Sequence, residues 1–396
     1  MAEKLDILFL TARFPFPIVG GDRLKPFHII SYLAAKYNVT LVSFYQASKP
    51  PESYIKSIEA LGVKLYVVPL NPLKSGINAL TRLFRYPLEI SYYTRKDFFR
   101  VVNKLFDENE FDLAFAFFMR TAEYLKNRKI KKILLAEDCR TLYQKRSYET
   151  STNLIQKSVR YWEYIRLKEY EPRIVDSFDV TTLVTHDDIK AMAEQNPNPK
   201  YMLLTNGTDI NTFTPPENKK REGILFAGKL DVWANQLMIK KIINEILPEI
   251  HKILPDTELK IVGANPPSSV LALQSDKIKV IPDVPEMLPY LQSAELFLHP
   301  HNGGSGIQNK LLEAMACGCP VVTTATGNQG INARHGEEVL LGSSSAELAE
   351  NAVKILKDSS FAELLSKNAR ELIVNTHSWD VVFNDLDRII DEVINK

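Results

Sequence analysis

Short runs of Val, Ile, Leu and Phe recur along this chain, at 5–10, 39–44, 63–70, 113–118, 132–138 and 179–185, with helix-length amphipathic segments between several of them. The runs do not alternate apolar with polar residues, so each suits a strand covered on both faces. Strands of that kind joined through helices predict parallel βαβ units and an α/β fold. The rhythm breaks at 205–223, TNGTDINTFTPPENKKREG, where Asn206-Gly207 and Pro215-Pro216 mark turns. It restarts at 224–230, 259–264, 278–284, 296–300, 320–324 and 339–342, with helices expected near 234–254, 307–317, 345–357 and 360–375. A chain of 396 residues exceeds one ordinary core, and two doubly wound domains, 1–205 and 206–376, account for the pattern. In such sheets ligands sit beyond the carboxyl ends of the strands, and two facing domains make a cleft.

Charge and cysteine usage remove several functions. Lys and Arg number 49 against 48 Asp and Glu, a net charge of +1, so no nucleic-acid partner is expected. Cys139, Cys317 and Cys319 cannot build a disulfide framework and lack metal-ligand spacing, which reads as reduced thiols in a cytoplasmic protein. The apolar run before Arg13 is too short for a signal-peptide core. Leu113–Met119, the longest apolar stretch elsewhere, falls far below the roughly 18 residues of a membrane span.

Phosphate chemistry is densest in 299–324, HPHNGGSGIQNKLLEAMACGCPVVTT. Gly303, Gly304 and Gly306 run into a helix expected to begin near Ile307. Glycines let backbone approach a ligand closely, and the unpaired first N–H groups of a helix carry its positive dipole end, which suits an anion. Lys310 sets a cation against that dipole, a mildly unfavourable placement that a bound diphosphate would offset. Glu313, three residues on along the same face, is placed to accept hydrogen bonds from sugar hydroxyls, and Gln308 and Asn309 add polar groups. A surface loop with a helix cap is the bland alternative, and these four side chains weigh against it. A second strand-to-loop junction, FAGKLDVWANQ (226–236), places Lys229 after Gly228, within reach of a phosphate from the other side of one crevice. A third, RFPFPIVGGDRLK (13–25), offers Gly20 and Gly21 to an anion or an acceptor hydroxyl, with Asp22 either beside them or capping the helix. It lacks the GxGxxG spacing of a dinucleotide site. Asp187 and Asp188 read as a helix cap.

Together these residues resemble the GT-B glycosyltransferases of the large family-4, group 1 type, almost end to end. Glu313–Val322, EAMACGCPVV, matches the second half of that family's E-x7-E signature. TNGTDINTF resembles its interdomain linker and Phe226–Leu230 its glycine loop. GIQNKLLEAMA, GGDRLKPF and LDVWANQ with LPEI resemble a bacterial subgroup of sugar transferases associated with exopolysaccharide systems. The resemblance implies two Rossmann-like domains facing a cleft: 1–205 on the acceptor side, completed by the C-terminal helix 377–396, and 206–376 on the donor side. It implies retaining, metal-independent transfer of a sugar from a nucleotide-sugar donor, without a further cofactor, to a saccharide or lipid-linked acceptor in cell-surface polysaccharide synthesis. On that pattern Glu313 holds the ribose, Gly306 and Ile307 offer N–H groups to sugar or phosphate, and Lys229 neutralises the diphosphate. The backbone near Asp283–Val284 meets the base.

Departures from the pattern bear on catalysis more than on nucleotide binding. Ser305 stands where the family has its first Glu, and WANQ replaces the usual lysine after the glycine loop, leaving Lys310 as the substitute cation. Phe118, Met119 and Arg120 stand where many members carry a histidine. These departures keep open a non-catalytic nucleotide-sugar-binding subunit. The two-domain architecture keeps open an NDP-sugar 2-epimerase, against which EAMACGCPVV argues.

Residues 71–106 carry Lys74, Arg82, Arg85, Arg95, Lys96, Arg100 and Lys104 against Glu89 and Asp97, with Leu80, Leu83, Phe84, Tyr86, Tyr92, Tyr93, Phe98 and Phe99 interleaved. Such a stretch suits peripheral contact with the anionic inner membrane surface. Ordinary amphipathic helices with a basic outer face explain it slightly better.

Overall fold

The computed structural model describes residues 4–18, 20–151, 153–217, 220–303 and 306–395. The chain divides into two compact units, the first Met1–Thr205 with Gly306 and Phe383–Lys396, the second Asn206–Gly303 with Ile307–Val382. Each has its own parallel sheet.

In the first unit, β1 (Asp6–Thr11), β2 (Asn38–Tyr45), β3 (Lys64–Pro69), β4 (Leu113–Phe117), β5 (Lys131–Glu137), β6 (Val180–Leu183) and β7 (Tyr201–Leu203) lie in the order β3-β2-β1-β4-β5-β6-β7. Consecutive residues Ile7, Leu8, Phe9 and Leu10 are all fully buried, so helices cover both faces, which is why the sequence shows no alternation. The sheet does not close at 179–185 as expected. It gains β7, whose three half-buried residues at the edge are too few to make a visible apolar run.

The second unit repeats the topology with β8 (Ile224–Ala227), β9 (Leu259–Gly263), β10 (Ile278–Pro282), β11 (Leu296–His299), β12 (Val321–Thr323) and β13 (Leu340–Leu341), ordered β10-β9-β8-β11-β12-β13. In both sheets the chain builds outward on one side, then crosses to the other. Neighbours β1 and β4, and likewise β8 and β11, therefore send their following loops apart, and a ligand crevice opens between such strands at their carboxyl ends.

Three local expectations change. The helix expected over 234–254 is α at Trp233–Lys241 and Leu247–His251, with a π turn at Ile242–Ile246 between them. The wider turn accommodates Pro248, which has no N–H to donate and crowds the preceding turn. Asp188 is not the cap of its helix. Thr185 is, accepting from the Asp188 N–H at 3.0 Å, while the buried Asp188 carboxylate accepts from Thr185 Oγ1 (2.6 Å) and the Cys139 N–H (3.1 Å). Tyr93 and Phe98 are buried, and Tyr86, Tyr92 and Phe99 pack against the same core. Those aromatic residues of 71–106 hold the fold and offer nothing to a membrane.

The last helix, Trp379–Ile394, passes from the second unit into the first. Asn206-Gly207 does not form the expected turn; a Cβ on Gly207 would stand 2.5 Å from the Trp379 ring, so the glycine is needed for space. Phe383 stacks on Tyr32 at 4.2 Å, and Asp387 accepts from Tyr32 and Lys36, each at 2.6 Å.

Deep in the first unit, Lys25 lies 2.8 Å from the Glu137 carboxylate at the end of β5 and donates to the Leu204 carbonyl at 2.8 Å. Both side chains are buried. Breaking a buried pair leaves an uncompensated charge, at about 3–5 kcal/mol. Lys25→Met is expected to lower the unfolding free energy by about that amount in urea titrations, and adding Glu137→Gln to recover most of it. A double variant as unstable as the single one would contradict this.

Candidate active site

The crevice of the second unit is built from the loop after β8 and the helix Asn309–Ala316 that follows β11. That helix begins two residues later than expected, so Ile307 and Gln308 belong to the loop. Gln308 precedes the first turn without a side-chain cap, and Asn309 accepts from Asn206 Nδ2 at 2.8 Å. Gly306 is in the left-handed region (φ 77°) and Ile307 is buried, while nothing lies within 4 Å of where a Cβ on Gly303 would be. Gly304 and Ser305 lie outside the described residues.

Lys310, in the first turn, reaches across to the end of β8. Its ammonium donates to Asn235 Oδ1 at 3.0 Å and sits 5.6 Å from the Phe226 ring centre. Asn235 in turn donates from Nδ2 to the Lys229 carbonyl at 2.7 Å, tying the helix Trp233–Lys241 to the loop. Gly228 is required here: a Cβ would stand 2.9 Å from both Lys310 Nζ and Asn235 Nδ2. An ammonium has three donors. Among the described residues Asn235 takes one.

Burial lowers the Lys310 pKa to about 8, opposed by Glu313. Burial likewise raises the Glu313 carboxyl to about 7, opposed by Lys310. Lys310 thus takes the place beside Gly228 that the sequence reading gave to Lys229. The Lys229 side chain is exposed and only its carbonyl is engaged in the loop. Val284 follows β10, two strands from β8 along the same edge of the sheet, next to Asp283, whose carboxylate accepts from the Asn265 N–H at 2.8 Å.

Two histidines were missed in the sequence. His299 ends β11 fully buried, and neither ring nitrogen has a partner among the described residues. Its ring stacks on His301 at 5.4 Å and on Phe226 at 6.4 Å. Burial first, then Lys310 and His301, hold its pKa well below the usual range, so it serves as a neutral aromatic floor. His301 Nε2 lies 3.5 Å from Gln308 Nε2. The H-x-H spacing at a strand end was the available signal.

The first unit's crevice differs in charge. Gly20 (φ 89°) precedes the helix Gly21–Lys36, so Asp22 falls inside the first turn and caps nothing. It pairs with Arg13 at 2.5 Å. Arg120, after β4, is bonded to Glu89 and lies over the Phe118 and Tyr93 rings at 4.9 and 5.3 Å. Glu89 also takes Arg140 at 2.8 Å, and Arg140 reaches Asp138 at 3.2 Å. Burial acts to raise the Glu89 carboxyl, but Arg140 and Arg120 outweigh it and hold it at about 2.

Comparison with known proteins bears on the second unit first. Residues 221–358 match the family model described as glycosyl transferases group 1. A Klebsiella pneumoniae protein, "Uncharacterized 44.6 kDa protein in cps region", is 21% identical over 96% of this chain and 98% of its own. Sucrose-phosphate synthase from Thermosynechococcus elongatus superposes with a TM-score of 0.73 at 16% identity, covering 99% of this chain and 100% of the other. Anabaena Alr3699/HepE, solved in complex with UDP and glucose, gives 0.65 at 14% identity over 98% and 99%. The second unit therefore carries a group 1 glycosyltransferase domain over 221–358, and the whole chain has the GT-B fold.

Proposed function

We propose that the protein transfers a sugar, with retention at the anomeric carbon, from a nucleotide-sugar donor to a saccharide or lipid-linked acceptor in cell-surface polysaccharide synthesis. The observation that carries this reading is the placement of Lys310 and Glu313 on one short helix, against a glycine that leaves room for the ammonium. Lys310, with the first N–H groups of the helix, is the donor-diphosphate site, and exposed Lys229 adds a second cation. Glu313 takes the ribose hydroxyls, and the backbone near Val284 meets the base.

In the reaction the bond between the anomeric carbon and the diphosphate oxygen breaks, and the acceptor oxygen bonds to that carbon on the same face. The acceptor proton passes to the departing diphosphate. Lys310 and the amides stabilise the growing charge in place, and one such donor typically supplies about 2.7–4 kcal/mol of barrier lowering. No metal is required in this scheme. The first unit supplies the acceptor side, through Gly20, Gly21 and Asp22 after β1 and Arg120 after β4. The protein acts in the cytoplasm.

Incubating the protein with a panel of UDP-, GDP-, ADP- and dTDP-sugars tests this directly. Slow hydrolysis releasing the donor's own anomer supports retaining transfer, whereas the opposite anomer refutes it. Ser305 at the place of the family's first Glu favours one rival, a nucleotide-sugar-binding subunit without activity. Tight donor binding without turnover would establish that rival.

Two variants follow. Glu313→Gln keeps the shape but loses the charge and one acceptor oxygen. It is expected to raise the dissociation constant for the donor about ten- to hundredfold, or about 1.4–2.8 kcal/mol. A 2′,3′-dideoxy donor should bind the wild type as weakly, and flat results in both titrations would remove Glu313 from the site. Lys310→Met is expected to weaken donor binding to a similar extent without lowering the melting temperature, because it removes a charge that burial disfavours. Unchanged affinity would exclude the diphosphate role.

A further inference from the structure

We propose that the helix Pro72–Thr81, the turn after it and the start of the helix Leu154–Val175 form a docking surface for an anionic lipid bilayer. The first of these helices is built inside out. Ser75 and Ala79 are buried, and Asn78 turns inward to donate to the Thr94 carbonyl at 2.9 Å. Leu73, Ile77 and Leu80 face outward, 80%, 63% and 68% exposed, and Phe84 continues the row at 77%. Spacings of four and three keep the first three on one face of the helix, and Phe84 follows in the turn after it.

Phe84 joins this stripe to a second one, its ring 5.5 Å from Trp162 edge-on. From Trp162 the exposed Val159 and Ile155 run back along the same helix face, with Leu154 exposed beside them. Contiguous apolar surface of this kind marks an interaction site.

Charge selects the occupant. No Asp or Glu occurs between Glu59 and Glu89, where Lys74, Arg82 and Arg85 are exposed around the first stripe. None occurs between Glu149 and Glu163, where Lys157 and Arg160 flank the second. A symmetric contact with a second copy would set these cations against themselves. A bilayer with anionic headgroups supplies the missing negative charge and accepts aliphatic side chains about 5–10 Å into its boundary. The surface rests on exposure and charge alone and does not depend on the transfer reading.

Co-sedimentation of the full chain with vesicles tests it, comparing phosphatidylcholine alone with phosphatidylcholine containing about one third phosphatidylglycerol. Partition onto the anionic vesicles is expected to be at least about tenfold stronger and to fall as salt rises. Ile77→Glu with Phe84→Glu should abolish it, and Arg82→Glu with Arg85→Glu should lower it at least about fivefold. Melting temperature and donor affinity should stay unchanged in both, because these side chains are exposed and lie in the first unit. Equal binding to both vesicle types, or binding untouched by either double variant, overturns the proposal. So does a self-associating wild type that ignores vesicles and becomes monomeric in the Ile77→Glu/Phe84→Glu variant, which would assign the stripe to a second copy.

Discussion

Seating the Lys310 ammonium at the carboxyl end of β8 determines the residues around it. The residue that follows the strand must lack a side chain, and it is Gly228. The loop must be held open, and Asn235 does so with one amide, donating to the Lys229 carbonyl and accepting from Lys310. The surface beneath must not compete for the charge, and Phe226 and the neutral, unpartnered His299 provide an aromatic one. Desolvation then disfavours the charged forms of both Lys310 and Glu313. A ligand bringing phosphate to one and hydroxyls to the other would recover that loss, which is the physical basis of the proposed donor site.

The same strand order is used twice with opposite electrostatic outcomes. In the first unit three guanidinium groups near the crevice meet carboxylates: Arg13 with Asp22, Arg120 and Arg140 with Glu89, Arg140 with Asp138. In the second, Lys310 makes no ion pair among the described residues and Glu313 acts on it only through its field. Topology places the two crevices, and the side chains at the loop ends distinguish them.

Much of this was legible in the sequence. Strands buried on both faces announce themselves as apolar runs, and a lysine in a helix's first turn after a glycine loop is an anomaly that a phosphate site explains. What escaped notice depends on contacts between distant positions or on the direction a face points. Asn235 meets Lys310 across 75 positions, and no spacing rule connects them. Asp22 and Asp188 look like caps, yet their carboxylates serve Arg13 and the Cys139 amide. An amphipathic stripe reads the same whether it faces core or solvent. Within 71–106, Tyr93 and Phe98 turn inward while Leu73, Ile77 and Phe84 turn out.

The central claim is that Lys310 and Glu313 receive the charged and hydroxylated parts of the donor, and proton linkage tests it most directly. Calorimetric titration with a nucleotide sugar, in buffers of different ionisation enthalpy, counts protons exchanged on binding. The donor's diphosphate diester does not titrate near neutrality, so the exchange reports on the protein. Binding should hold Lys310 protonated above its resting pKa of about 8 and Glu313 ionised below its resting value of about 7. The account predicts net proton uptake near pH 8 and net release near pH 7, with the uptake lost in Lys310→Met and the release lost in Glu313→Gln. Binding without proton exchange at either pH would contradict it.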